Sequence, residues 1–241
     1  MTSFFDQAAH VTPDEPALAV SRAAKWLVGE RLACVLHVGD GSLAYLLSDQ
    51  GHEVVIAGGD VTARHHRDLA YVRAEPTSLP FAERSFDAVV VPRLDGPRAG
   101  LDEVARVLRP GGLVSAIDRV DDESIPWLRR LRDIVGHRAR PALSGDALER
   151  SGLFETHEVQ DLTTWAALDR AGVQQYARAT AEGAVDDATM ASVHELFSEN
   201  AGHTGTLRLR QITRCVRARV AKEPGPVRSQ PPTETMLLDF R

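Results

Sequence analysis

The residues that could do chemistry gather after short apolar runs. Gly39-Asp40-Gly41 directly follows Ala33-Cys34-Val35-Leu36-His37-Val38. Glycines at such a place let the backbone approach a ligand and aim helix amino-terminal N–H groups at it. Two glycines after a strand also make an ordinary turn, so the motif alone leaves a nucleotide-like ligand and a plain turn open. Asp40 is either a charge that faces a ligand or a turn and cap residue. Further along stand Asp60 after a second apolar run, Glu75-Pro76 after a third, Arg93 after a fourth and Asp118 after a fifth. His10 is the one titratable group of Ala8-Ala9-His10-Val11-Thr12. His65-His66 lacks a third metal ligand, and neither a CxxC nor a Cys/His cluster is present, so no metal site is expected.

These groups have to be positioned by alternating strands and helices. Cys34 to Val38, Val54 to Ala57, Tyr71 to Ala74, Phe86 to Val91 and Leu113 to Ile117 read as buried strands. Residues 1–30, the Leu43 to Leu47 stretch, 62–70, 101–108, 124–136 and 144–151 read as helices between them. Later strands are expected in 153–160 and 206–220, with helices at 165–180 and 186–200. The alternation predicts an α/β protein with a doubly wound, mostly parallel sheet and helices on both faces. In such sheets ligands bind at the carboxyl ends of the strands, which is where the candidate residues fall.

The chain has 241 residues, 43% of them hydrophobic, and a formal net charge of −6. That length suits one domain over residues 1–221, with 1–30 as a helical cap, and it can bury roughly 70% of its unfolded surface. The acidic balance argues against a general nucleic-acid binder. No apolar run approaches the roughly 20 residues that span a bilayer, and the first residues do not resemble a signal peptide, so a cytoplasmic protein is expected. Cys34 and Cys215 read as small core residues. Arg129, Arg130, Arg132, Arg138 and Arg140 are spread over several faces by helical wrapping. Residues 222–241 carry four prolines and read as a disordered tail, whose apolar tip, Met236 to Phe240, offers contact with a second copy or a paralogue.

Four segments, in order, resemble the class I S-adenosylmethionine-dependent methyltransferases of the small-molecule branch. They are Val35-Leu36-His37-Val38-Gly39-Asp40-Gly41, Gly51-His52-Glu53-Val54-Val55, Glu75-Pro76-Thr77-Ser78-Leu79-Pro80-Phe81 with Ser85-Phe86-Asp87, and Leu101 to Gly112 with its Leu-Arg-Pro-Gly-Gly ending. Ile125-Pro126-Trp127 is similar to one bacterial subgroup. The resemblance implies a seven-stranded Rossmann-like fold, S-adenosylmethionine as cofactor and a small-molecule methyl acceptor. It implies cofactor contacts at His37, Gly39, Asp40, Gly41, Asp60, Glu75 and Pro76, with Asp118, His10 and Arg93 as weak candidates on the acceptor side.

The chain also departs from that pattern. His37 stands where the family has an acidic residue, Leu43 where it has a third glycine, and Gly58 where it has the ribose-binding carboxylate, leaving Asp60 two residues on. Pro76 lacks the N–H that the family offers to the adenine ring. The first helix lacks the usual Tyr. Two functions follow as expectations: methyl transfer to a small molecule through an atypical cofactor pocket, or a catalytically inactive binding module or partner of an active paralogue. A third is an enzyme that uses another nucleotide-like ligand in the same crevice.

Overall fold

The computed structural model describes residues 14–41, 43–59, 69–122, 124–137 and 142–221. The chain enters through helix α1 (Asp14–Val28), which Gly29 ends in a left-handed conformation, φ +90°. Strand β1 (Cys34–Val38), helix α2 (Ala44–Asp49) and strand β2 (Glu53–Gly58) follow. Next come β3 (Ala70–Arg73), β4 (Phe86–Val90), α3 (Arg98–Val107), β5 (Leu108–Asp121), α4 (Pro126–Val135) and α5 (Asp146–Ser151). The last elements are β6 (Glu158–Leu168), α6 (Arg170–Thr180), α7 (Asp187–Asn200) and β7 (Leu207–Arg219).

The strands form one seven-stranded sheet in the order β3-β2-β1-β4-β5-β7-β6. β1 pairs parallel with both β2 and β4, and β4 pairs parallel with β5. β7 runs antiparallel to both of its neighbours. The chain winds outward in one direction through β2 and β3, then returns past β1 to β4 and β5. The reversal point between β1 and β4 is where such sheets open a crevice.

Alternation along β1 explains why its residues are almost all apolar. Val35 joins a core with Ala23, Leu27, Leu47 and Ile56 beneath α1 and α2, whereas Leu36 and Val38 join a core with Val104, Val107 and Leu148 beneath α3 and α5. Both faces of the strand are covered, so each residue is buried in turn. Fully buried leucines such as Leu36, Leu47 and Leu148 each contribute roughly 1.5–3 kcal/mol through burial.

A third cluster lies apart from these two. Trp127, Leu128 and Leu131 of α4 meet Val173 and Ala177 of α6, Val193, Leu196 and Phe197 of α7, and Leu168 and Leu207 at the ends of β6 and β7. β7 begins beyond the last β5 residue that it pairs, Asp121 with Gln211. The three helices therefore cap the carboxyl end of the β5-β7-β6 side, the same end as the crevice.

Several expected boundaries move. α3 ends at Val107, one residue early, and Arg109-Pro110-Gly111-Gly112 bulges out of the ladder inside β5, which pairs Leu108 with Phe86 and then Leu113 with Ala88 while Gly111 has φ +77°. Proline's fixed φ suits an extended strand start as well as a turn. β6 runs to Leu168 where a helix was expected from 165, since it pairs with β7 along its whole length, from Glu158 to Leu168. That pairing lies far away in sequence, and no local pattern announces it. The expected helix at 62–70 lies mostly outside the described residues, and Ala70 already belongs to β3. The first part of the expected 1–30 cap, Arg138, Arg140 and the Met236–Phe240 tip are also outside them.

Candidate functional site

The turn after β1 is held from three directions. Gly39 donates its N–H to the Ala57 carbonyl at 2.8 Å and has φ +115°. Its carbonyl oxygen lies only 2.6 Å from where a Cβ on Gly58 would be. Gly41 has φ +73°, and a Cβ there would meet Ile56 Cδ1 at 2.8 Å. On the other side Pro92, from the loop after β4, packs against Gly39. The turn is thus pressed between the ends of β2 and β4 at the reversal point, and only glycine fits its two left-handed positions.

His37 lies beneath this turn and is 4% exposed. It shares a strand face with Val35, and its Nδ1 has no hydrogen-bond partner among the described residues. Burial pushes its pKa down to about 4, against an opposing pull from Asp40. His37 is therefore a neutral imidazole at pH 7, where the resemblance implied a carboxylate. Asp40 itself is exposed at the top of the turn. Leu43, in the place of the family's third glycine, would put a branched side chain at a ligand if it pointed into the turn. Instead it is 1% exposed and belongs to the core with Val35, Ala44 and Leu47. The side chain that looked obstructive is absorbed by packing.

At the end of β2, Gly58 is required by the approach of the Gly39 carbonyl, so the strand itself cannot offer a carboxylate there. Asp60 lies outside the described residues, as do His10, His65 and His66. After β3, Glu75 and Pro76 form an exposed turn closed by the Ser78 N–H on the Glu75 carbonyl at 2.9 Å.

The stretch that follows is clamped by a pair the sequence reading did not single out. Glu103 of α3 accepts from the Leu79 N–H at 2.8 Å and from Arg106 Nε at 2.7 Å. Arg106 donates in turn to the carbonyls of Phe81, at 2.7 Å, and Leu79, at 2.9 Å. The Arg106 guanidinium beside Glu103 holds its carboxyl down at about 2. The third and fourth resemblance segments thus touch each other. The available signal was an acid and an arginine three residues apart on a helix that also carries an apolar face.

Arg93 and Asp118, proposed separately, are brought together. Arg93 Nε and Nη2 donate to both carboxylate oxygens of Asp95 at 2.8 Å, and its Nη1 lies 3.7 Å from Asp118 Oδ2. Asp118 Oδ1 also accepts from the Arg119 N–H at 2.8 Å. Hydrogen bonding to Asp95 raises the Arg93 pKa. Arg93 is therefore a cation already held between two carboxylates. Within the arginine run, Arg132 is buried, Arg129 exposed, and Arg130 pairs with Glu199. Among the described residues no group of three His, Cys, Asp or Glu side chains could hold a metal ion.

A glycine turn at the reversal point of a 3-2-1-4-5-7-6 sheet with one antiparallel strand defines a Rossmann-like class of ligand-binding fold. Residues 36–116 match the family model described as a methyltransferase domain. An uncharacterized methyltransferase of Mycobacterium tuberculosis is 29% identical over 216 residues, which is 83% of this chain and 88% of that protein. A demethylmenaquinone methyltransferase of Clavibacter sepedonicus is 33% identical over 138 residues, 52% of this chain and 56% of that protein. The solved structure of the YcgJ protein of Bacillus subtilis has a TM-score of 0.54 at 15% identity, covering 86% of this chain and 99% of that one. The structural likeness carries the fold alone. Residues 36–116 thus match a methyltransferase domain, and the chain is similar over most of its length to a methyltransferase.

Proposed function

We propose that this protein transfers a methyl group from S-adenosylmethionine to a small molecule, using a cofactor pocket remodelled at its ribose end. The observation that carries this reading is the Gly39–Gly41 turn, locked open at the reversal point by Gly58 and Pro92. The cofactor, when bound, supplies an electrophilic methyl on a sulfonium. The residues present fit it in part. Gly39 and Gly41 offer bare backbone, and the unpartnered Nδ1 of buried His37 offers a neutral hydrogen-bonding group below the turn. In this reading Gly39, Asp40, Gly41 and His37 bind the methionine end, and Glu75 and Pro76 border the adenine. Asp60 replaces the carboxylate that β2 cannot carry.

Catalysis would rest on proximity and alignment. The α4-α6-α7 cap, whose apolar residues pack among themselves, stands at the acceptor end of the sheet. Arg93, fixed by Asp95 and Asp118, presents an oriented polar edge there rather than a free cation for an anionic acceptor. The demethylmenaquinone methyltransferases among the relatives support a small-molecule acceptor. We also propose one domain over 1–221 working in the cytosol. No helix among the described residues is long and apolar enough to cross a membrane.

Calorimetric titration with S-adenosylhomocysteine tests the proposal. Saturable binding is expected, with loss of at least about tenfold in affinity on Gly41→Val. Absence of binding at about 1 mM to folded protein would overturn it and favour the alternative, a binding module without transfer activity. The specific observation behind that alternative is the Gly39 carbonyl in the place of a side chain on Gly58.

A further inference from the structure

The opposite edge of the sheet, where β1 enters rather than leaves, holds an open cleft of about 1050 Å³. Its walls come from the last turns of α1, the Arg31–Ala33 connection, the Arg109–Gly112 start of β5 and the end of β7. The cleft is large enough for a metabolite-sized ligand. The most specific part of the family resemblance, Leu-Arg-Pro-Gly-Gly, lies on this wall and away from the crevice.

Six cations line the cleft, Arg22, Lys25, Arg31, Arg109, Arg217 and Arg219, against two carboxylates, Glu30 and Asp87. This occurs in a chain whose formal net charge is −6. Arg109 is paired with Asp87 at 2.7 Å. Arg217 is paired with Glu158 at 2.7 Å, donates to the Trp26 carbonyl at 2.6 Å and stacks 4.2 Å over the Trp26 ring. Arg219 donates to the Gly111 carbonyl at 3.1 Å but meets no carboxylate among the described residues. The side chains of Arg22, Lys25 and Arg31 are exposed and have neither hydrogen bond nor ion pair among the described residues. Like charges gathered on a concave, low-dielectric surface repel one another and focus a positive potential that an anion relieves. Arginine forks match phosphate oxygens in two-point contacts. Trp26 and Leu32, the latter 75% exposed, add apolar surface, and the buried Gln160 Oε1 lacks a donor among the described residues.

We propose that this cleft binds a phosphorylated small molecule, its phosphates held by Arg22, Lys25, Arg31 and Arg219 and its body resting against Trp26 and Leu32. The site is separate from the methyl-transfer crevice and does not depend on it.

The full-length protein is titrated with ADP and with pyrophosphate by calorimetry, in low salt, with and without saturating S-adenosylhomocysteine. One-site binding of ADP is expected, unaffected by S-adenosylhomocysteine and weakening as salt rises. The variant Arg22→Ser/Lys25→Ser/Arg31→Ser should bind ADP at least about tenfold more weakly. Its melting temperature without ligand should not fall, because these three side chains make no hydrogen bond or ion pair among the described residues and their removal relieves repulsion. No saturable binding of either probe at about 5 mM would overturn the proposal. So would full affinity in the triple variant, or displacement of ADP by S-adenosylhomocysteine. Citrate binding as tightly as ADP would overturn the phosphate assignment.

Discussion

His37 is an imidazole in a carboxylate's place, and its burial makes the fold pH-sensitive. The unfolded chain takes up its proton near the ordinary value of 6.5, whereas the folded chain resists until about 4. The unfolded state therefore binds more protons between these values, and stability falls as pH drops through that window. The loss from this one group approaches about 3 kcal/mol below pH 4. In urea titrations, His37→Phe should show less loss of stability than wild type between about pH 6.5 and 4. Equal pH slopes for the two proteins would refute the burial argument. Gly58 is the second decisive residue. Restoring the family carboxylate as Gly58→Asp would drive a Cβ into the Gly39 carbonyl, with 2.6 Å between them. We expect a cost of about 2–3 kcal/mol and weaker S-adenosylhomocysteine binding rather than a repaired site. An unchanged urea midpoint would show that the turn can give way.

At the scale of elements, α3 organises the loop after β3. Glu103 and Arg106 together satisfy the Leu79 N–H and the carbonyls of Leu79 and Phe81, groups that no strand or helix pairs. Glu103→Ala should cost about 1–3 kcal/mol by leaving the Leu79 N–H without its acceptor and Arg106 without its carboxylate. Amide hydrogen exchange should quicken over residues 77–82 while the interior of α3 stays protected. Protection unchanged in that loop would mean that the clamp is ornamental. Sequence reading placed this loop and this helix correctly but did not join them. Hydrogen bonds between residues 24 to 27 positions apart depend on how α3 lies across the sheet, which no local pattern encodes. The same reason explains β6, whose extent is set by its partner β7.

For the whole molecule, the separate cap cluster predicts separable effects. Leu196 is fully buried among α4, α6 and α7, so Leu196→Ala should cost about 2–4 kcal/mol. Because the glycine turn rests on β1, β2 and β4, affinity for S-adenosylhomocysteine should stay within about twofold in folded Leu196→Ala protein. A large loss would show that the cap and the turn are one cooperative unit.

Sequence alone determined the layered fold. Apolar runs of strand length, punctuated by glycine and separated by helical periodicity, bury both faces in a mostly parallel sheet between helices. It also placed the glycine turn, since Gly39 and Gly41 follow a buried strand directly. The tertiary structure decided what the atypical residues mean. Leu43 looked like an obstruction and is core. Gly58 looked like a lost ligand and is the space through which Gly39 passes. Arg93 and Asp118 looked like independent candidates and are an ion pair. The cationic cleft joins residues from 22 to 219, and no reading along the chain could assemble it. Periodicity reports burial against near neighbours, whereas close approach, pairing and charge focusing depend on distances between segments far apart in the chain.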